Sequence, residues 1–413
     1  MNDKYLIRRA ESSRDAPELR ELFNQVFYPE KVGALAETMF HHLPGMQDKY
    51  WFIAQETTTG QIVAAFALIP WSWQMEGIRL KVAEMGIVGT LEAHRGRGLM
   101  RMLNEEFDKT LDEDCFDLAV IQGIPGFYQQ FGYYYAVPLE NHVNLPLHVL
   151  SDQQEQSAYG FRLAGPGDVP FLTAQDERYR RSVSLSAFRD EAHWRYLLTE
   201  SQETEYGSEF WIVEEDGQER FYCRIPQEGF GTGLIVSEVS ETITIEALQA
   251  LFAFFRAKAL ERDKPYIRLN LHNESPAARS AVALGAKLGT PYAWQIKIPD
   301  PVRLITTMIP VLERRVQAST FYHFSGCFRL NLFRSSVDLN WSRGRLESVS
   351  AGSGECDLSL SVPAELLPAL SLGHRSWQEL RHIRPDLSPN SDRSALLVDT
   401  LFPPSRLWIH EQY

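Results

Sequence analysis

The chain has 413 residues, with 41 Lys and Arg against 54 Asp and Glu for a net charge of −13, and 44% of it is hydrophobic and 12% aromatic. This excludes a disordered chain and disfavours a nucleic-acid partner, which needs a basic footprint; the length suggests two or three domains, and no apolar run approaches the roughly 18 residues of a membrane span. The four cysteines (Cys115, Cys223, Cys327, Cys356) show no C-x-x-C and no paired spacing, and with no signal-peptide pattern they point to the reducing cytoplasm and to no zinc site.

In chain order, Ile7-Arg8-Arg9-Ala10 reads as a strand, and Asp15-x-Pro17-x-Leu19 as an Asp N-cap with Pro in the first turn of a helix. Trp51–Gln55 and Ile62–Pro70 form a hairpin around Thr59-Gly60. An apolar strand, Met85 to Leu91, runs into the basic turn Arg95-Gly96-Arg97-Gly98. A helix opens directly after it, with apolar positions at Leu99, Leu103, Phe107 and Leu111. A second strand (Phe116 to Ile121) precedes the aromatic segment Phe127-Tyr128 with Phe131-Gly132-Tyr133.

Glycines and arginines at a helix N-terminus make an anion site, because free N–H groups and the positive dipole end face the ligand and only Gly lets the backbone come close. A solvated surface loop is the plainest alternative. A dinucleotide fingerprint would need a third Gly or Ala where Arg101 sits and an acid at the end of the next strand, whereas Asp117 lies at its start. No G-x-x-x-x-G-K-[ST] occurs, which excludes a nucleotide P-loop. Arg95 to Met100 resembles the [QR]-x-x-G-x-[GA] turn of the GNAT acyltransferases, departing at Met100.

The first elements recur. Phe161-Arg162-Leu163-Ala164 and Asp168-x-Pro170-x-Leu172 repeat the opening pattern, and Phe210–Glu214 with Arg220–Ile225 repeats the hairpin. Leu234–Val239, a helix over Ile245–Leu260 and a strand over Tyr266–Leu271 follow. Ser237 to Thr242, between that strand and helix, has no glycine and two acids, which repel phosphate. Asn273-Glu274-Ser275-Pro276 stands where the aromatic segment would come. From Pro301 a helix (Val302 to Val316) precedes alternating strands over Phe328–Leu332, Val337–Trp341 and Cys356–Leu360, backed by helices over Ala364–Leu370 and Ser376–Leu380. The apolar, aromatic close, Leu401 to Tyr413, reads as docked rather than frayed.

The whole chain resembles the enhanced-intracellular-survival (Eis-like) GNAT N-acetyltransferases, most specifically in His94-Arg95-x-Arg97-Gly98-Leu99 and Tyr128-x-x-Phe131-Gly132-Tyr133. The resemblance implies a mixed α+β fold: a catalytic GNAT domain over 1–150, a GNAT-like domain without coenzyme A over 151–298, and a sterol-carrier-protein-like domain over 299–413. It further implies a cytoplasmic homo-oligomer, a hexamer, using acetyl-CoA as co-substrate and no metal, and acting on a primary amine of a small cationic molecule or a lysine. Val88, Gly89 and Thr90 would run beside the pantetheine arm. Arg95, Gly96, Arg97, Gly98, Leu99, Met100 and Arg101 would hold the pyrophosphate. Phe23 to Met46 would line the acceptor pocket, although Phe27, Tyr28 and Phe40 serve equally well as core.

Direct attack of the amine on a thioester requires positioning, a polarised carbonyl and management of two protons. Tyr128 suits the general acid, since a phenol near about 10 can protonate a thiolate whose thiol titrates near about 8.5. Two groups compete as base: Glu84, on the strand face of Val88 and Thr90, and the α-carboxylate of Tyr413, which the resemblance implies. A non-catalytic acyl-CoA- or lipid-binding protein is the alternative function; it would need the turn but not Tyr128.

Overall fold

A computed structural model describes residues 4–150, 158–229 and 231–413. The chain begins with β1 (Tyr5–Arg9), α1 (Ser12–Val26), α2 (Val32–His42), β2 (Trp51–Glu56), β3 (Ile62–Met75), β4 (Ile78–Thr90), α3 (Leu99–Glu113), β5 (Leu118–Ile121) and β6 (Tyr134–Glu140). Strands β1 to β5 lie side by side in chain order, all antiparallel except the parallel pair β4–β5. Successive residues of a strand point to opposite faces. Thus Trp51 meets Phe23 of α1 at 6.3 Å while Phe52 meets Phe107 of α3 at 5.6 Å, so the sheet is covered on both sides. Every residue from Val63 to Ile69 is accordingly buried. Helix α3 buries Leu99, Leu103, Phe107 and Leu111, the stripe its spacing predicts.

The first half ends with β7 (Val143–Pro146), and the next comprises β8 (Tyr159–Leu163), α4 (Val169–Ser182), β9 (Leu185–Ala187), α5 (Glu191–Leu198), β10 (Ser208–Glu215), β11 (Gln218–Pro226), β12 (Leu234–Val236), β13 (Glu238–Val239), α6 (Ile245–Glu261), β14 (Tyr266–Leu269), α7 (Pro276–Ala283), β15 (Lys287–Leu288) and β16 (Tyr292–Lys297). It repeats the first in detail. Arg8 grips Asp15 with two bonds of 2.6 and 2.7 Å, and Arg162 grips Asp168 with two of 2.8 Å. Asp15 is not the cap expected from sequence. It sits inside the first turn of α1, where its carboxylate accepts from Glu11 N–H at 2.7 Å.

The halves also exchange strands. β16 lies between β5 and β6 in the first sheet, while β7 lies between β14 and β15 in the second. Each sheet is therefore completed by a strand from across position 150, at which the sequence suggests a domain limit.

The remainder holds α8 (Pro301–Thr307), α9 (Ile309–Gln317), β17 (Gly326–Asn331), β18 (Ser336–Ser342), β19 (Arg345–Ala351), β20 (Leu358–Ser361), α10 (Leu367–Ser371), α11 (Trp377–Ile383), β21 (Ser388–Pro389) and α12 (Asp392–Leu401), with sheet order β19-β18-β17-β20-β21. The single helix expected over Val302–Val316 is two, because Pro310 carries no N–H and sits in the first turn of α9. Cys327 and Cys356 form a disulfide, correcting the reading of four unpaired cysteines. Strands β17 and β20 are parallel neighbours, which brings together two residues whose separation of 29 gives no pairing signal. A disulfide suits an oxidising compartment better than a reducing one. Among the described residues no helix is long and apolar enough to cross a membrane.

Candidate active site

The site starts from a fault in the β3–β4 ladder. Ala65 pairs with Gly89 and Ala67 with Gly86, so Phe66 faces both Ile87 and Val88, and Ile87 takes φ +52°. Such a bulge turns main-chain N–H groups out of the ladder. Gly86 has no room for a side chain: an added Cβ would lie 2.3 Å from Ile69. β4 pairs with β5 only over Val82–Glu84 against Leu118–Val120. Beyond those residues the two strands part and a cleft opens.

Above the cleft stands the Arg95–Gly98 turn. Gly96 and Gly98 take φ +72° and +77°, and nothing lies within 4 Å of where either Cβ would be. The N–H groups of Arg101 and Met102 bond back to Gly98 O at 3.1 and 3.2 Å, leaving the N–H groups ahead of them without partners in the 15-residue helix. Arg95, Arg97 and Arg101 are exposed, and none is ion-paired among the described residues. Arg95 and Arg97 touch only main-chain oxygens, of Thr90 and Ala93, each at 3.3 Å. The turn is an open, uncompensated cationic cradle at a helix N-terminus.

Tyr128 opens a short 3-10 turn (Tyr128–Phe131) after β5. Its ring lies on Gly123, where any Cβ would come within 2.3 Å of it. Burial pushes its phenol up to about 12.

Glu84, the last residue of β4 paired with β5, is buried at 2% exposure. Its carboxylate accepts from Trp71 Nε1 at 2.6 Å, from Gln122 Nε2 at 3.3 Å and from the Tyr413 hydroxyl. Burial raises its titration to about 7 against the pull of these three donors. Strand position brings Glu84 forward as base and the family resemblance the Tyr413 α-carboxylate; in the structure the Tyr413 side chain meets Glu84 while its main-chain oxygen accepts from Arg224.

Tyr413 arrives there because the end of the chain is docked, as its composition predicts. Leu407 bridges to Leu185, and Tyr179 donates to Trp408 O at 3.1 Å. Trp73 Nε1 donates to Gln412 Oε1 at 3.1 Å, and His193 Nε2 to Gln412 O at 2.7 Å. Arg189 and Arg224 donate to Glu411 O at 2.5 and 2.6 Å, and Arg224 also to Tyr413 O at 2.8 Å. Both arginines are fully buried, and both bond to the single Glu238 carboxylate, which also takes the Tyr222 hydroxyl at 2.8 Å. Those cations hold Glu238 far below the usual carboxylate range.

The second half thus uses the stretch expected to have lost phosphate binding for another purpose. Glu238 anchors the tail through two arginines, and Glu241, ahead of α6, pairs with Arg406 at 2.8 Å. The ends of β12 and β14 meet the tail around a cavity of about 100 Å³, whose wall includes Gln122, Glu140, Tyr206, Trp294, Trp408 and Glu411. Tyr206, Glu228 and Gly229 also line an outer pocket of about 500 Å³, with Pro29, Glu30, Lys31 and Glu205. Tyr28 is 84% exposed, while Phe40 is a core residue stacked on Trp51 at 5.3 Å. Trp71, Gln122, His193, Tyr206 and Arg224 escaped the sequence reading, because only tertiary contacts tie them to Glu84 and the tail. Cys327, Asp338 and Cys356, a group with metal-ligand geometry, lie on the C-terminal sheet, where the cysteines are paired and Arg329 holds Asp338 at 2.6 and 2.8 Å.

The acetyltransferase (GNAT) domain family matches residues 7–136, the span that carries the bulge, the turn and Tyr128. Residues 7–136 are a GNAT acetyltransferase domain. The chain carries this acetyltransferase domain, and its mixed α+β fold is shared over nearly its full length with solved structures of low sequence identity. It is similar to a GCN5-related N-acetyltransferase from Anabaena variabilis (14% identity, TM-score 0.68, 98% of this chain and 99% of that one). A probable N-acyltransferase from Enterococcus faecalis is similar at 13% identity and TM-score 0.71, with 99% of each chain covered. Eis1 from Mycobacterium abscessus is similar at 16% identity and TM-score 0.62, over 99% of this chain and 100% of that one. No curated protein matches the chain by sequence.

Proposed function

We propose that the chain transfers an acetyl group from acetyl-CoA directly to a primary amine of a small cationic molecule, within a ternary complex. The observation that carries this reading is Glu84: a buried carboxyl titrating near 7, joined through Gln122 to a cavity whose wall bears Glu140 and Glu411. The outer pocket adds Glu30, Glu205 and Glu228, a path that favours cations.

Acetyl-CoA, when bound, supplies the thioester that is attacked. The residues fit it, since Gly96 and Gly98 leave the anion cradle open and its arginines are uncommitted. Main-chain N–H groups freed at the Ile87–Val88 bulge polarise the acyl carbonyl. Glu84 removes the proton from the arriving ammonium, and the Tyr128 phenol protonates the leaving sulfur. Val88, Gly89 and Thr90 flank the acyl carrier along β4. The hexamer implied by the family resemblance goes with this reading and is checked by sedimentation.

The test is a thiol-release assay across polyamines, aminoglycosides and lysine peptides. Intersecting double-reciprocal lines are expected with a polyamine or aminoglycoside; parallel lines, or no release with any amine, contradict the reading. Tyr128→Phe is expected to lower kcat by about 10²-fold with KM changed less than about threefold. Gly98→Ala forces a Cβ onto a left-handed backbone and into the cradle, so KM for acetyl-CoA should rise about tenfold or more with little change in kcat, measured in the same assay.

A further inference from the structure

We infer that Tyr413 acts through its side chain as a positioning residue, its phenol holding the Glu84 carboxylate toward the cavity. Of the three donors on Glu84, Trp71 on β3 and Gln122 just after β5 belong to the first half, and Tyr413 alone comes from the tail. The Tyr413 ring is fixed edge-on to Trp71 at 5.6 Å and against Tyr206 at 6.0 Å. Gly86 keeps the approach open: an added Cβ there would lie 3.8 Å from the Tyr413 hydroxyl. The main-chain oxygen of Tyr413 accepts from Arg224 at 2.8 Å, and the positive charge opposes proton uptake at that atom. The side chain is the part of Tyr413 that reaches the reacting carboxylate.

The other groups facing Glu84 are few. On β3 and just past β5 they are the neutral donors Trp71 and Gln122. Behind Trp71, His193 of α5 stacks at 5.5 Å and is kept neutral by burial, its titration lowered to about 4. In the tail, Glu411 is the neighbouring carboxylate and opposes ionisation of Glu84, while Tyr413 favours it.

The inference rests on the reading of Glu84 as base, and the experiment separates the two. The pH dependence of kcat/KM, from thiol release with acetyl-CoA and spermidine between pH 5.5 and 9.5, is compared for wild type, Tyr413→Phe and Glu84→Gln. Tyr413→Phe removes one donor to the ionised carboxylate, so the rising limb is expected to move up by about one pH unit, with kcat/KM near pH 6.5 falling about tenfold. Incorporating 3-fluorotyrosine at position 413, a stronger donor of nearly the same shape, should move the limb the opposite way even if the Phe variant folds poorly. An inactive Glu84→Gln together with limbs unmoved by both changes at 413 overturns the positioning role alone. A Glu84→Gln enzyme with the wild-type rate and limb overturns the base reading and this inference with it.

Discussion

Glu84→Gln is expected to lower kcat/KM by about 10²- to 10⁴-fold and to abolish the rise in rate that the wild type shows through pH 7. Glu84 must lose its proton to act, and burial places that loss at about 7. Wild-type kcat/KM should therefore fall about tenfold for each pH unit below that value. The stability effect has the opposite sign. Because the folded-state value is raised, the contribution of Glu84 is fully present below its unfolded value, near about 4.3, and is lost as pH rises through 7. A Gln at this position cannot ionise, so at pH 8 the variant should be as stable as wild type or more so, by about 3 kcal/mol at most. A variant that is inactive because it is unfolded, or one with wild-type rates at pH 8, contradicts this account; urea unfolding and thiol release distinguish the cases.

Glu238→Gln should produce the largest loss of stability. It removes the carboxylate that pairs with both fully buried arginines, leaving Arg224 only the looser Glu411 carboxylate at 3.9 Å and Arg189 no direct ion pair among the described residues. Removing one partner of a buried ion pair costs about 3–5 kcal/mol. The arginines would also be freed from the geometry that holds Glu411 O and Tyr413 O, so kcat/KM should fall together with the thermal midpoint. Glu238 has a strongly depressed folded-state value; its stabilisation is present above the unfolded value near about 4.3 and is lost as pH falls through the folded one. The difference between variant and wild type should therefore be large at pH 7 and shrink under strongly acidic conditions. A thermal midpoint at pH 7 within experimental error of the wild type would contradict the anchoring role of the cluster.

What could be read from the sequence was what chemistry confines to a short stretch. The anion turn needs Gly96 and Gly98 beside arginines at a helix start, and all of it lies within a few residues. The hairpins, α3 and α6 follow from local periodicity, and the duplicated Arg8–Asp15 and Arg162–Asp168 pairs from repeated short patterns. Pro310 was visible yet did not mark the break between α8 and α9, since the apolar spacing continues through it. β19 and α12 were missed: the alternation of β19 is weak, and only Ser391 as N-cap announces α12. The exchange of β7 and β16 carries no local signature, because a strand's partner is set by register across the fold rather than by its own residues. The partners of Glu84 come from β3, the residue after β5 and the tail. Thus the residues that strand position and the family resemblance offered as rival bases are neighbours, the Tyr413 side chain meeting the Glu84 carboxylate.

The most direct test of the central claim is a calorimetric titration of acetyl-CoA into the full chain, repeated with Arg95→Ala/Arg97→Ala. One site per chain is expected, weakened at least about tenfold by the double substitution and by raised salt, because the first half alone offers the unpaired cradle. Two sites per chain, or one whose affinity ignores both substitutions, would contradict it.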